Sequence, residues 1–520
     1  MKLASSLVIR IALCVAILLA ALPIVPAQQP ADCNVRVTLL QVNDIYQFTP
    51  VDQGNAGGLA RLLTLQKSIR EENPNTLFML AGDTLSPSVE SITYKGAQMI
   101  EAWNVAGLDY ATFGNHEFDF GPDVLKERMK ESKFGWVIAN VVEKSTGKVF
   151  GSAEPFVIRE FGGVKIGIFG LVLPETKYTS RPGDDVEFLD PCTTAKAMVN
   201  EIHKRGAKVV VALTHLSMRE DKEVARCSGV NLILGGHEHV LLESYAGGAP
   251  IFKMTADARE MGRFDLNISK TTGELSSIDW KVIKVDKETK EDPLFASVYR
   301  KYAGLEAQLD QPVGRTAVPL EGRGPENRTR ETNLGNFVAD SYRKAVQADV
   351  ALINGGSIRV DEIIPVGRLA VRDVLSILPF KSKLMKIEVD GALLREAIEH
   401  GVSQVAPGNQ PAAFPQVSGI QFSYDASKPA GQRVVDLKVN GQPVSPTKKY
   451  SLATTTFVAV DGGDGYTMLK GANVLLPPVR AVLDSEAFRS ALPPGRPIAP
   501  KVEGRIVRLD KPVIKRSECN

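Results

Sequence analysis

The sequence predicts an α/β protein built from two domains. Between residues 35 and 284, short apolar runs alternate with helix-like segments. The runs are apolar at consecutive positions, which suits strands covered on both faces of a layered sheet. The length of 520 residues also exceeds what one hydrophobic core usually serves.

Along the chain, the first 27 residues stand apart. Met1-Lys2 opens them with a positive charge, "LVIRIALCVAILLAALPIV" carries Arg10 as its one charge, and Ala27 offers a small residue for cleavage. This pattern predicts a secretory signal peptide. No second apolar run of membrane length follows, so the expected mature protein is secreted or periplasmic, with no membrane attachment after signal removal. Removal takes Cys14 and leaves Cys33, Cys192, Cys227 and Cys519, which an oxidising compartment can pair. The expected bridges are Cys192 with Cys227 and Cys33 with Cys519.

The first domain is expected over residues 34–285. Its strand-like runs include "VRVTLLQV", "TLFMLAGD", "WVIANV", "VKIGIFGLV", "AKVVVALTH" and "VNLILGGH". Helical segments such as "LARLLTLQKSIREE" and "CTTAKAMVNEIHKRG" separate them. Most runs end in a polar or Gly-containing turn, where sheets of this kind collect ligands. A linker over 286–311 is expected around "EDPLFASVYRKYAGLEAQLD", an amphipathic pattern with no partner strand. The second domain, 312–510, has its own helix ("NFVADSYRKAV"), strand ("ADVALIN") and Gly-marked turns ("VDG", "DGGDG"), and 511–520 read as a polar tail. Lys+Arg is 62 against Asp+Glu 60, so bulk charge supports neither a nucleic acid polymer nor an anionic membrane as partner. Nothing in the sequence fixes an oligomeric state.

Of the six histidines, four close strand-like runs: His116 in "FGNHEFDFG", His215 in "VVALTHLS", and His237 and His239 in "LILGGHEHV". Asp44, Asp83 and Asn115 hold equivalent places. His203 and His400 lie in helix-like stretches and read as structural. Nitrogen and carboxylate donors without thiolate suit Zn, Mn, Fe or Co. So many donors exceed the needs of one tetrahedral ion. Two ions sharing a carboxylate, with an oxygen-bearing substrate between them, fit better.

The order Asp44, "GD", "GNHEFD", "TH", "GGHEH" resembles the calcineurin-like metallophosphoesterases. "RETNLGNFVADSYR", "LINGGSIR", "LPF" and "DGGDGYTML" look like the C-terminal domain of the secreted 5'-nucleotidase family. The resemblance implies a β-sandwich flanked by helices, joined by a helix to a smaller α+β substrate-binding domain. It further implies hydrolysis of nucleoside 5'-monophosphates with two divalent metal ions, drawn from Zn, Mn, Co and Mg. Alternatives on the same site are a UDP-sugar or other nucleotide diphosphatase, and a 2',3'-cyclic or 3'-nucleotide phosphohydrolase. A secreted nucleotide-binding protein without turnover is the alternative from another class.

By this resemblance Asp44 and His239 serve the first metal, Asp83 bridges both, and Asn115, His215 and His237 serve the second. His116 pairs with Asp119 as the catalytic dyad. Arg330, Asn354 and Arg359 surround the substrate phosphate or ribose, with Arg328 as a fallback for Arg330. Phe380 and Phe457 grip the base, and Asp464 meets the ribose hydroxyls. Lys381 and Ser382 depart from the family pattern beside Phe380.

A sharper departure lies in "LLQVNDIYQF", where Tyr46 stands in place of the family's metal-binding histidine. Three readings follow. Tyr46 leaves the coordination shell, since a neutral phenol is a poor ligand; or it binds as phenolate, which would admit Fe; or the site has lost turnover.

Overall fold

A computed structural model of the chain describes residues 34–303 and 309–510. The expected signal peptide, the Cys33–Cys519 bridge and the C-terminal tail lie outside the described residues. Among those residues, no helix is long and apolar enough to cross a membrane.

Two six-stranded sheets face each other in the N-terminal domain. The first runs Leu275–Lys284, Glu260–Ser269, β1 (Asn34–Val42), β2 (Thr76–Leu80), Tyr110–Ala111, Gly135–Trp136. The second contains Val164–Val172, β3 (Val209–His215) and β4 (Leu232–Gly235) as neighbouring parallel strands. Successive side chains of a strand point to opposite faces, and both sets are apolar here. Leu39, Leu77, Met79, Val211, Leu213 and Leu234 fill the space between the sheets. Their neighbours Leu40, Phe78, Leu80, Val210, Ala212 and Ile233 pack under the outer helices. Those helices include Leu59–Glu72 and Ala97–Ala106 on one side and Pro191–Lys204 and Met218–Ser228 on the other. The continuous apolar runs thus correspond to strands of a helix-flanked sandwich.

β1 and β2 are parallel, with Val42 opposite Leu80, and β3 and β4 are parallel, with Thr214 opposite Gly235. All four strands therefore end on the same edge of the sandwich, and the residues that follow them form one rim.

The expected linker helix is described in part. A 3-10 turn at Pro293–Phe295 leads into Ala296–Tyr302, and residues 304–308 lie outside the described set. Tyr299 and Tyr302 lie against Phe48, each with ring centroids 5.9 Å away. This helix is docked on the first domain.

The C-terminal domain is built on a five-stranded sheet whose strands include β5 (Val350–Asn354), Leu384–Asp390 and Lys449–Thr455. Helix Asn333–Val346 covers one face through Leu334, Val338 and Tyr342. Helix Gly391–Val402 covers the other through Leu394, Ala397 and Ile398.

Cys192 and Cys227 form a disulfide between helices Pro191–Lys204 and Met218–Ser228, with Cα atoms 6.2 Å apart and a sequence separation of 35. Closing a loop of that length in the unfolded chain is worth about 3–4 kcal/mol. Replacing both cysteines by alanine should lower the unfolding free energy by roughly that amount, read as a lower midpoint in chemical denaturation.

Candidate metal centre and substrate cleft

The rim is backbone held in unusual conformations. Asp44 and Asp83 follow β1 and β2 with φ of 54° and 59°, and His237 and His239 follow β4 with φ of 90° and 58°. Non-glycine residues seldom take positive φ, and clusters of them mark functional loops. Gly114 has no such φ but no space either: a Cβ there would lie 2.1 Å from Asp83 Oδ1. The "GN" of the "GNHE" motif is thus a close backbone approach to a carboxylate.

Asp44, Asp83 and His215 are buried, and one donor atom from each lies within 4.8 Å of the others. His215 Nε2 is 3.2 Å from Asp83 Oδ2 and 3.9 Å from Asp44 Oδ1, while its Nδ1 lies 2.8 Å from the Ala81 carbonyl. Since that carbonyl can only accept, Nδ1 donates and Nε2 is the ring atom turned toward the carboxylates, whose charges outweigh burial and push the His215 pKa up to about 10. His239 Nε2 is 3.2 Å from Asp44 Oδ1, and the His237 ring lies edge-on to His215 with centroids 5.2 Å apart. Asn115 is also buried, and its Oδ1 has no hydrogen-bond partner. The six expected ligand residues are brought together.

A metal centre explains this composition. An orphaned buried amide oxygen, an imidazole nitrogen without a hydrogen-bond partner and two buried carboxylates within 4.8 Å of each other are costly unless a cation draws on them. Burial opposes ionisation of Asp44 and Asp83, but the surrounding histidines and hydrogen bonds overcome it and hold both carboxyls well below the ordinary range. Oxygen and imidazole donors of this kind suit the divalent ions of the metallophosphoesterases.

His116 is held by a carboxylate outside this donor set. Its Nδ1 lies 2.7 Å from Asp119 Oδ2, Ser180 Oγ donates to Asp119 Oδ1 at 2.7 Å, and its Nε2 faces Asp83 at 3.9 Å. The expected dyad is in contact, and Ser180 is an additional anchor.

The second domain closes over the rim. Phe380 stacks on His116 with centroids 5.9 Å apart, and Phe380, Phe457, Asn354 and Asp119 line one cavity between the domains. Asn354 Nδ2 donates to Asp464 at 2.5 Å. Arg359 lies over the ring of Tyr46, 5.4 Å from its centroid. The side chain of Arg330, expected at the phosphate or ribose, is 56% exposed and bonded to Glu326, four residues back. Arg328 stands in the cleft instead. Burial and the neighbouring Arg359 charge lower its pKa to about 10, which leaves it cationic at neutral pH. Arg328 Nε and Arg359 Nη2 are shielded from solvent without a hydrogen-bond partner, and neither side chain has a carboxylate within salt-bridge distance among the described residues.

The comparisons agree with this geometry. Calcineurin-like phosphoesterase matches residues 37–241, and the C-terminal domain of 5'-nucleotidase matches residues 312–471. The snake venom 5'-nucleotidase of Naja atra is 30% identical over 84% of this chain and 92% of its own length. The chain belongs to the 5'-nucleotidase family. A 5'-nucleotidase precursor from Thermus thermophilus has the same fold, with a TM-score of 0.85 and 30% identity over 92% of this chain and all of that one. The trifunctional nucleotide phosphoesterase protein YfkN of Bacillus subtilis is 30% identical over 93% of this chain, which spans only 36% of that protein.

Several members of this site were not read from the sequence. Glu117 is buried and accepts from the backbone N–H groups of Asp83 at 2.9 Å, Thr84 at 2.7 Å and Gly114 at 2.5 Å, so one carboxylate ties two ligand loops together. His400, read as structural, lies 2.8 Å from the Asp464 carbonyl and fixes that turn. Lys253 is 1% exposed and bonds the Leu216 and Gly236 carbonyls at 2.5 and 2.9 Å, next to His215 and His237. It pairs with Asp221 at 2.8 Å and with Glu238. The lone lysine of the apolar run "APIFKM" is the one signal that could have found it. Lys253→Met should strand two buried carboxylates, costing about 3–5 kcal/mol of stability and weakening metal binding, as measured by denaturation and by calorimetric titration with Mn.

Proposed function

We propose that this protein hydrolyses nucleoside 5'-monophosphates to nucleoside and phosphate at the rim of the first domain. The observation that carries this reading is the pair of unpartnered guanidiniums, Arg328 and Arg359, facing a cluster of metal-type donors. Buried guanidinium N–H groups without an acceptor are costly, and a phosphate oxygen facing Arg328 Nε and Arg359 Nη2 would supply one. The stacked Phe380, the adjoining Phe457 and the Asp464–Asn354 pair supply what a base and ribose need.

In this reading Asp44 and His239 hold the first ion, Asn115, His215 and His237 the second, and Asp83 both. When bound, such ions would supply Lewis-acid polarisation of phosphoryl oxygens and activation of water. The protein's own groups do the rest. Arg328 and Arg359 fix the phosphoryl oxygens through planar N–H forks. Asp119, held by Ser180, orients His116 so that a proton at Nε2 faces the phosphoryl or leaving oxygen as the ester bond breaks. Phe380 and Phe457 hold the nucleoside and exclude water. Domain boundaries of 34–285 and 312–510 with a linker at 286–311 fit this division of labour. Action outside the cytoplasm fits the N-terminal segment and the disulfide.

Chelator-stripped protein supplied with Mn, Co, Zn or Mg should release phosphate from AMP. His116→Ala should lower kcat by about a hundredfold or more. Arg328→Ala should lower kcat/KM by about 10- to 100-fold, whereas Arg330→Ala should leave it nearly unchanged. Nucleotide binding without phosphate release under any of these ions would instead favour a binding protein.

A further inference from the structure

We infer that Tyr46 is itself a ligand of the first metal ion, bound through Oη. The inference rests on the assignment of Asp44, Asp83 and His239 to a metal, and its test separates the two claims.

Tyr46 is buried, 6% exposed, and its Oη points into the ligand cluster. Oη lies 3.2 Å from Asp44 Oδ1, 3.1 Å from Asp83 Oδ2 and 2.8 Å from His239 Nε2. Asp44 Oδ1 and His239 Nε2 are 3.2 Å apart. Ions of this class hold oxygen and nitrogen donors at about 2.0–2.2 Å, so two donors at right angles around one ion lie about 3.0 Å apart. All four of these spacings are of that size. The hydroxyl, which hydrogen-bonds Asp44, Asp83 and His239, therefore stands within reach of an ion that those three side chains would hold.

The residue is also fixed in that pose. Its backbone N–H donates to Asp257 at 3.0 Å, its ring meets the His116 and His239 rings at 5.9 and 5.5 Å, and Arg359 covers one face. Among carboxylates alone a phenol keeps its proton; a dication held by the same donors reverses the local balance, as it does for a coordinating thiol. Binding then exchanges the phenol proton, released to solvent, for the metal–oxygen bond. An anionic oxygen in place of a neutral imidazole makes this position harder, and so better suited to Mn, Mg or trivalent iron than the nitrogen donor it replaces.

The test is spectroscopic. Chelator-stripped protein is titrated with Zn, with bound metal counted by elemental analysis, while the ultraviolet difference spectrum is followed for one coordinated tyrosinate among the chain's 11 tyrosines. Iron(III) loading should add a visible phenolate-to-iron band. Tyr46→Phe should remove both signals and weaken the first ion about tenfold or more. Tyr46→His should recover the affinity to within a few-fold while the tyrosinate signal stays absent. Metal bound by the wild type without a tyrosinate signal, or a signal that survives in Tyr46→Phe, overturns the assignment of Tyr46 and leaves the metal centre standing. Failure to bind any of these ions overturns the metal centre as well.

Discussion

The molecule depends on keeping two carboxylates, Asp44 and Asp83, beside each other in a place nearly without solvent. Their mutual repulsion would drive them apart or protonate one of them if the chain left them free. The chain does not leave them free. Parallel strand ends fix where each loop begins, positive-φ backbone turns each side chain inward, and Gly114 lets the next loop approach Asp83 with no side chain between. Glu117 then fastens the Asp83 and Gly114 loops through their backbone N–H groups. Lys253 fastens the His215 and His237 loops from below, through their carbonyls. A carboxylate gathers donors and an ammonium gathers acceptors. The two anchors therefore cannot be exchanged, and each loop is held by the kind of backbone group it has to spare.

Burial of charge also explains why the protein has two domains. The first domain collects electron-rich donors, and the second brings Arg328 and Arg359 over them without carboxylate partners of their own. Neither half is electrostatically complete alone. In the proposed reaction an anion between these guanidiniums and the metal-type donors would draw on both domains at once. The stacking of Phe380 on His116 adds an apolar seal at that seam.

What could be read from the sequence, and what could not, follows from the range of the forces involved. The layered strands were legible because period and apolarity are local signals, and the ligand residues because they close apolar runs. Motif position could not report that Arg330 pairs with Glu326, four residues earlier. Arg328, two residues earlier, has no acidic partner and so remains available. Glu117, Lys253 and His400 act on backbone groups distant in sequence. A lone acid, a lone base and a helical histidine carry no pattern that reports such contacts. Tyr299 and Tyr302 of the linker region pack on Phe48, a partner that the amphipathic pattern could not name.

Tyr46 joins these themes, since it touches both charge systems at once. Its ring face lies under Arg359 of the second domain while its oxygen meets Asp44, Asp83 and His239 of the first. A cation over an aromatic face is held by the ring's electron density, and an anionic oxygen on that ring increases the density. An imidazole at this position would offer the metal a donor but would give Arg359 a smaller and less electron-rich face. In the proposed site a change in the bond at Oη would be felt at Arg359, and so by the domain that carries the guanidiniums proposed to bind phosphate. The substitution places a single polarisable group between metal occupancy on one side and substrate capture on the other.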